Sequence, residues 1–366
     1  MRRSVALAAA VTITLLGLML NGGAAGADTA RSNGKIAFTQ NPPGKDHPSG
    51  FTIDPTGSHK HRVGPKGTTE CTTWAPDGSK ILCNDWRLPR VQPATANPDG
   101  SDFTRVNPSL PLDLFCTHWS PEDDRLLCHS EGNPNRTDAG LWTVRSSDGG
   151  DLQRVTTQPR GANDAAHGYS PDGTRILFSR FRSENAPGVL FSVNPDGSGK
   201  VRLTPPGLGV PDFGGLHIAA SWAPDSARVT FVGQDLSTSE SALYVENQDG
   251  TQRHQISPPG RQVLSAQWAP NGELIAFTGC CTLGTVQAWV IRPDGTGLFK
   301  VTSPTGHTIS LGPAWSPDGR KLLFVRIDTR TGDRGFWTVK ANGTALSEVT
   351  PFPTQLEYSW GTAPLG

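Results

Sequence analysis

The sequence predicts an all-β chain, a seven-bladed β-propeller of four-stranded antiparallel blades. Two observations carry this. One phrase recurs six times, as WAPDGSKILC from Trp74, WSPEDDRLLC from Trp119, YSPDGTRILF from Tyr169, WAPDSARVTF from Trp222, WAPNGELIAF from Trp268 and WSPDGRKLLF from Trp315, at spacings of 45, 50, 53, 46 and 47 residues. A second phrase alternates with it seven times, from FTIDPTGSHKHRV through LFSVNPDGSGKVRL to FWTVKANGTALSEV. Each copy of the second is an alternating apolar run, a polar turn with Gly or Asn, and another short run, which is the pattern of a β-hairpin. Composition agrees, since 42 Gly, 31 Pro, 2 Met and a hydrophobic fraction of 35% suit a turn-rich all-β chain.

Seven second phrases against six complete first phrases leave one blade incomplete, with six blades as the alternative count. The two ends supply the missing phrase. NGKIAFTQ (33–40) matches its tail, as in NGELIAFTG, and LEYSW (356–360) matches its head. Blade 1 is then expected to take three outer strands from the N-terminal side and its inner strand from residues near Gln355 to Trp360. Such closure removes two exposed strand edges.

In each blade the strand before the Trp is innermost, the next follows across the Pro-Asp-Gly turn, and the hairpin gives the two outer strands. The repeated Trp, with Tyr169 in one blade, is expected to fill the wedge between neighbouring sheets rather than stack on a ligand. The Asp of each turn caps its own backbone, and the following Gly supplies positive φ. Calcium loops need more oxygens at regular spacing than SPEDDR or SSDGGD offers.

The first 27 residues read differently. Arg2 and Arg3 precede the apolar run VALAAAVTITLLGLML, and Ala25-Gly26-Ala27 forms a small-residue cleavage site, so residues 1–27 are expected to be a signal peptide and 28–366 a single propeller domain. No later apolar stretch approaches the ~20 residues that a membrane span needs. Losing Arg2 and Arg3 takes the basic count from 33 to 31 against 33 acids. That balance gives no reason to expect nucleic acid or an anionic membrane surface as partner. The expected product is an exported, soluble monomer, extracellular or periplasmic.

The Trp-x-Pro-Asp-Gly-x-x-[Ile/Leu]-x-Phe phrase, coupled to a hairpin ending near LT or VT, resembles the TolB-type propeller repeat, over residues 33 to 361. That resemblance implies a propeller related in architecture to the WD-type repeats. It spans periplasmic translocation proteins, the caps of prolyl oligopeptidase-like peptidases and oligogalacturonate lyases. TolB has a six-bladed ring with a further N-terminal domain. Here seven blades are counted, and only five residues separate the cleavage site from the first strand, so a role in envelope translocation is not carried over.

Turns between the first and second and between the third and fourth strands emerge on one face of a propeller, and here they are short and uniform. The opposite face carries long, dissimilar segments such as NDWRLPR, HSEGNPNRTDAG, GCCTLGTVQ and PPGLGVPDFGGLH. Variable loops on a rigid scaffold are where binding resides, so this is the expected functional face. Six polar residues stand there, three to eight positions before the Trp or Tyr of their blades: Glu70, Asp113, Asp164, His217, His307 and Glu357. They are the candidate ligand-binding residues of the central funnel. No cofactor is expected, although His and carboxylates suit a divalent metal, and the oligogalacturonate lyases that the repeat resembles hold a metal in the channel with His and Gln.

Six Cys in an exported chain point to disulfides. Cys71 and Cys116 each stand three residues before a repeated Trp, and Cys83 and Cys128 nine after it, straddling their turns symmetrically. Pairs Cys71–Cys83 and Cys116–Cys128 are expected, facing each other ~4.5–5.5 Å apart across adjacent strands. A four-Cys metal site is the alternative. Adjacent Cys280 and Cys281 form either a vicinal disulfide, the expected state, or two free thiols.

No Gly-x-Ser-x-Gly elbow, phosphate-binding Gly loop or His-Glu-x-x-His helix appears, and no catalytic residue is assigned. The expected function is non-catalytic binding or scaffolding, with a protein, peptide or glycan engaged through the variable face. The alternative is a metal-assisted lyase or hydrolase acting on a polymer, using His118, His167, His217 or His307 with carboxylates.

Overall fold

The computed structural model describes residues 32–40, 48–87, 89–131, 137–183, 186–211, 219–280, 286–351 and 358–362. These residues form seven antiparallel sheets and no helix. Blade 2 shows the plan: Thr69–Trp74 is innermost, followed outward by Ile81–Asp85, Gln92–Ala96 and Thr104–Arg105. Blades 3, 4, 6 and 7 repeat it, with inner strands Phe115–Trp119, Asn163–Tyr169, Gln262–Trp268 and Thr308–Trp315. In blade 5 the inner strand comes in two pieces, Leu208–Gly209 and Ala220–Trp222, both paired with Arg228–Asp235.

Blade 1 closes the ring as its sequence halves require. Tyr358–Thr362 pairs antiparallel with Asn33–Gln40, with Ile36 opposite Trp360 and Phe38 opposite Tyr358. Of the expected span near Gln355 to Trp360, Tyr358–Trp360 lie in this strand, and 355–357 lie outside the described residues. Ser49–Ile53 and His61–Val63 complete the blade.

The core is divided into seven clusters, one at each blade–blade interface. The repeated aromatics occupy these wedges: Trp74 packs with Ala37 and Val63 of blade 1, Trp222 with Leu177 and Leu190 of blade 4, and Trp360 with Leu323 and Val325 of blade 7. Their spacing-filling role, and not ligand contact, explains the repeat. The turn Asp residues also act as expected. Asp77, Asp99, Asp196 and Asp249 each accept the backbone N–H two residues on, at 2.8–2.9 Å. Where the turn lacks its Gly, Asp123 and Ser226 take positive φ of 60° themselves.

The position nine residues after the wedge aromatic shows a consistent exchange. It is Phe178, Phe231, Phe277 and Phe324 in blades 4 to 7, and Phe38 fills the matching place in blade 1; all five are fully buried. Blades 2 and 3 carry Cys83 and Cys128 there, bonded to Cys71 and Cys116 as expected. The Cα atoms lie 3.9 and 3.8 Å apart, closer than the expected spacing, immediately before a register shift in each inner strand. A disulfide therefore takes the interior volume that a Phe ring takes elsewhere. Gly50 of blade 1 lets it fit, because a Cβ there would stand 2.3 Å from Cys71 Sγ. For Cys280 only the backbone is described, opposite Gln262, and Cys281 lies outside the described residues.

Polar side chains stitch neighbouring blades through the core. Thr39 Oγ1 accepts from Cys71 N at 3.0 Å, Asn84 Oδ1 from Cys116 N at 2.7 Å and Ser241 Oγ from Val263 N at 3.0 Å. Each gives a buried backbone amide of one blade a side-chain acceptor from the neighbouring blade.

Two predictions follow from these interiors. Each bridge closes a loop with a sequence separation of 12, so Cys71→Ala or Cys116→Ala should each lower unfolding free energy by about 3 kcal/mol in urea titrations; a loss below about 1 kcal/mol contradicts an interior structural role. The second concerns Glu246, whose fully buried carboxyl pairs with Arg253 at 3.2 Å while its Oε1 finds no hydrogen-bond partner among the described residues. Burial pushes it from 4.5 up to about 7, against the pull of Arg253. The folded state therefore binds the proton more tightly than the unfolded one. The stabilisation is complete below pH 4.5 and is lost as pH rises through about 7. Glu246→Gln should flatten that segment of the melting temperature–pH curve.

Candidate binding site

The inner strands of blades 2, 3 and 4 begin at the variable face, and pairing fixes what stands beside them. Glu70 is opposite Asn84, Phe115 opposite His129, and Asp164 opposite Arg180. The edge where these strands start is therefore the edge where the second strands end and their long loops leave. A cavity of about 580 Å³ opens there, lined among others by Glu70, Trp86, Asp113, Phe115, Glu131 and Asp164. This volume is in the range of small-molecule or side-chain binding pockets.

Three of the six sequence candidates, Glu70, Asp113 and Asp164, thus meet at one cavity. They differ in what they can do there. Asp164 is 1% exposed and already neutralised: Arg180 Nε and Nη2 donate to its two oxygens at 2.6 Å each, and Thr156 Oγ1 donates at 2.6 Å. Gln158 Oε1 accepts from its backbone N–H at 3.1 Å. This carboxylate shapes the cavity floor. Asp113 is exposed and accepts the backbone N–H of Val91 at 2.9 Å, tying the crossing into blade 3 to the loop of blade 2. Glu70 is nearly buried and accepts from the Trp86 indole N–H at 3.1 Å.

His307 does not join them. It is exposed in the turn before Thr308–Trp315, where its backbone carbonyl accepts from Thr329 N and Oγ1 at 2.9 and 2.7 Å. His217 and Glu357 lie outside the described residues. Of the other histidines weighed, His167 Nε2 bonds Ser179 Oγ at 2.8 Å and His118 Nδ1 bonds Thr117 Oγ1 at 2.8 Å, so both are engaged within the blades. Among the described residues no three His, Cys, Asp or Glu side chains are grouped as a metal ion would require.

Sequence reasoning missed the aromatic side of the cavity. Of the ten Trp residues, six are wedge residues and three, Trp142, Trp289 and Trp337, lie in third strands. Trp86 alone is in a loop, 42% exposed, with its ring 5.9 Å from that of Phe115. Its departure from the repeat was the available signal. The loop is held rigidly: Trp86 N donates to Thr68 O at 2.8 Å, and the neighbouring Asp85, fully buried, accepts from Arg87 Nε and Arg105 Nε at 2.8 Å. Burial works to raise the Asp85 pKa, and the two guanidinium groups outweigh it and hold the carboxyl below its ordinary range.

No family model matches the chain. Over 110 residues it is 31% identical to a TolB homologue of Chlorobium luteolum, a segment covering 30% of this chain and 24% of the relative. Over 49 residues it is 41% identical to the Tol-Pal system protein TolB of Nitratidesulfovibrio vulgaris, covering 13% and 11%. The match thus spans about a quarter or less of the length of these curated relatives. Among solved structures, TolB of Acinetobacter baumannii aligns at TM-score 0.52 and 14% identity over 89% of this chain and 82% of that one. The propeller domain of the Trilobed protease of Pyrococcus furiosus, described as having an open velcro topology, aligns at 0.60 and 13% over 89% and 97%. An oligogalacturonate lyase in complex with manganese aligns at 0.57 and 14% over 88% and 86%. These identities speak for the fold alone. The chain is a seven-bladed β-propeller closed by pairing of Tyr358–Thr362 with Asn33–Gln40, and it is similar to TolB proteins over part of its length.

The two acidic roles can be separated by measurement. Asp164→Asn, which disrupts a buried bidentate pair, should cost about 3 kcal/mol of stability, whereas Asp113→Asn should change it by about 0.5 kcal/mol or less. Urea unfolding of the two variants reads both.

Proposed function

We propose that the protein is an exported, non-catalytic binding or scaffold propeller, with residues 1–27 removed as a signal peptide and 28–366 acting as a monomeric propeller domain. It engages a protein, peptide or glycan through its variable loop face. The observation that carries this is the cavity at blades 2 to 4, which pairs an exposed, rigidly held Trp86 with Phe115 and a rim of carboxylates. Exposed aromatics on fixed loops are characteristic of binding surfaces, because they offer large contact area at low entropic cost. Two disulfides inside the blades fit an oxidising compartment, periplasmic or extracellular.

The lyase or hydrolase reading draws on a fold neighbour that binds manganese. The described donors at this cavity do not group as metal ligands, so no reaction step is assigned to them. Elemental analysis of the purified protein separates the readings: the binding role predicts no stoichiometric metal, and one tightly held ion per chain would favour catalysis. Peptide and glycan arrays probed with the mature chain should give discrete hits that Trp86→Ala weakens by about tenfold. Hits unaffected by that variant would move the binding role away from this cavity.

A further inference from the structure

We propose that blade 6 carries a carboxylate-binding site, built on the Arg261 guanidinium and the Trp289 ring, that takes an acidic side chain of a peptide or protein partner. This rests on the binding role above and adds a site apart from the cavity at blades 2 to 4. Arg261 directly precedes the inner strand Gln262–Trp268, whose first residue stands opposite Cys280 at the end of the second strand, so it lies at the variable face. Its guanidinium carbon is 4.0 Å from the centre of the Trp289 ring, in the third strand Gln287–Ile291. Stacking of this kind holds a guanidinium in one plane. Yet Arg261 Nε, Arg261 Nη1 and Trp289 Nε1 are all buried and have no hydrogen-bond partner among the described residues. Buried donors are ordinarily satisfied, so three at one contact mark a missing acceptor.

Blades 3 and 7 show the same contact completed from within the chain. In blade 3 Arg154 lies 5.0 Å over Trp142; Arg154 Nη2 donates to Thr137 O at 2.7 Å, and Trp142 Nε1 donates to Asp138 O at 2.9 Å. In blade 7 Arg326 lies 5.2 Å over Trp337, and its Nη2 donates to Thr305 Oγ1 at 2.5 Å and Thr308 Oγ1 at 3.1 Å. Strand pairing explains why blade 6 lacks these acceptors. Gln262 stands opposite Cys280, three residues after Phe277, and Ile309 stands opposite Ile327, three residues after Phe324. Arg261 therefore occupies the place of Thr308, and Gly279 the place of Arg326. In blade 6 the guanidinium comes from the crossing, and the second strand offers it a Gly in place of a partner. A second cation adds to the charge. Lys300 is exposed and opposite Trp289, with its Nζ 5.9 Å from the centre of the same ring. Neither Arg261 nor Lys300 forms an ion pair among the described residues. Two like charges about one ring repel each other, and an anion beside them relieves this while supplying the acceptor.

A planar guanidinium presents its N–H groups in a fork that matches the two oxygens of a carboxylate. Both fork edges include Nη2, so a carboxylate meeting Arg261 there also gives Nε or Nη1 its acceptor. A neutral glycan would leave both charges uncompensated. The test titrates N-acetylglutamate methylamide into the isotope-labelled protein, with N-acetylglutamine methylamide as uncharged control and NaCl at matched ionic strength. NMR reads the Trp289 indole N–H, assigned by its loss in Trp289→Phe. Saturable shifts with a Kd of roughly 10–100 mM are expected for the glutamate probe, and binding at least about fivefold weaker for its control. Arg261→Met keeps the alkyl stem against Trp289 and removes the head group. It should weaken the probe by at least about tenfold and leave the melting temperature within about 2 °C, because the group removed has two buried donors without acceptors. Lys300→Gln, at an exposed position, should weaken the probe about twofold, and it keeps the test decisive if Arg261→Met were to disturb the fold. Equal response to the two probes, a response that NaCl alone reproduces, or binding untouched by both variants overturns the proposal. Inorganic phosphate binding more tightly than the glutamate probe would overturn the carboxylate assignment. Array hits that are all neutral or basic would strike this site while leaving the binding role intact, whereas an absence of any array hit would strike the binding role itself.

Discussion

The antiparallel pairing of Tyr358–Thr362 with Asn33–Gln40 is the constraint on which the other contacts depend. A propeller blade buries its faces only against its two neighbours, so every interface presumes that the ring is closed. Trp360 brings the closing strand into the cluster between blades 7 and 1, and its indole N–H donates to Gly34 O at 3.1 Å. The next residue is Gly361, where the other blades place Ala or Ser; a Cβ would stand 2.5 Å from the Trp74 ring. A residue without a Cβ is therefore what lets the closing strand lie against the Trp74 ring of blade 2. Closure and the first disulfide meet in that same corner, because Gly50 of blade 1 rests against Cys71.

This rigidity determines where a site can form. Uniform turns on one face spend their side chains on their own backbone, as the Asp residues that bond two positions on demonstrate. The other face is free to vary because the interior carries stability through Phe or cystine at each wedge and through the Thr39, Asn84 and Ser241 ties. Blades 2 and 3, which use cystine in place of Phe, are also those whose loops and strand starts build most of the cavity. In each of these blades the bridged Cys71 or Cys116 directly follows a cavity-lining residue, Glu70 or Phe115, and a strand fixed in this way limits the ordering cost that a ligand has to meet.

The fold was legible in the sequence because it is written repeatedly. Six copies of the Trp phrase fixed the blade plan, and the two half-phrases at 33–40 and 356–360 correctly signalled closure. The disulfides were legible from symmetric spacing about a turn. The site was legible only in part. Position along an inner strand placed Glu70, Asp113 and Asp164 together, yet it could not reveal that Asp164 is consumed by Arg180, since that partner comes from the next strand by register. His307 failed the same rule because an exposed turn precedes its strand. Trp86 and Glu131 belong to loops that repeat nothing, and a pattern search is blind to them.

The account stands most directly on closure. Deleting residues 358–366 removes the inner strand of blade 1 and opens the interface with blade 7. The truncated chain should lose its single cooperative melting transition or aggregate through the exposed strand edges. A truncated protein that melts cooperatively at the temperature of the full chain would contradict the ring described here.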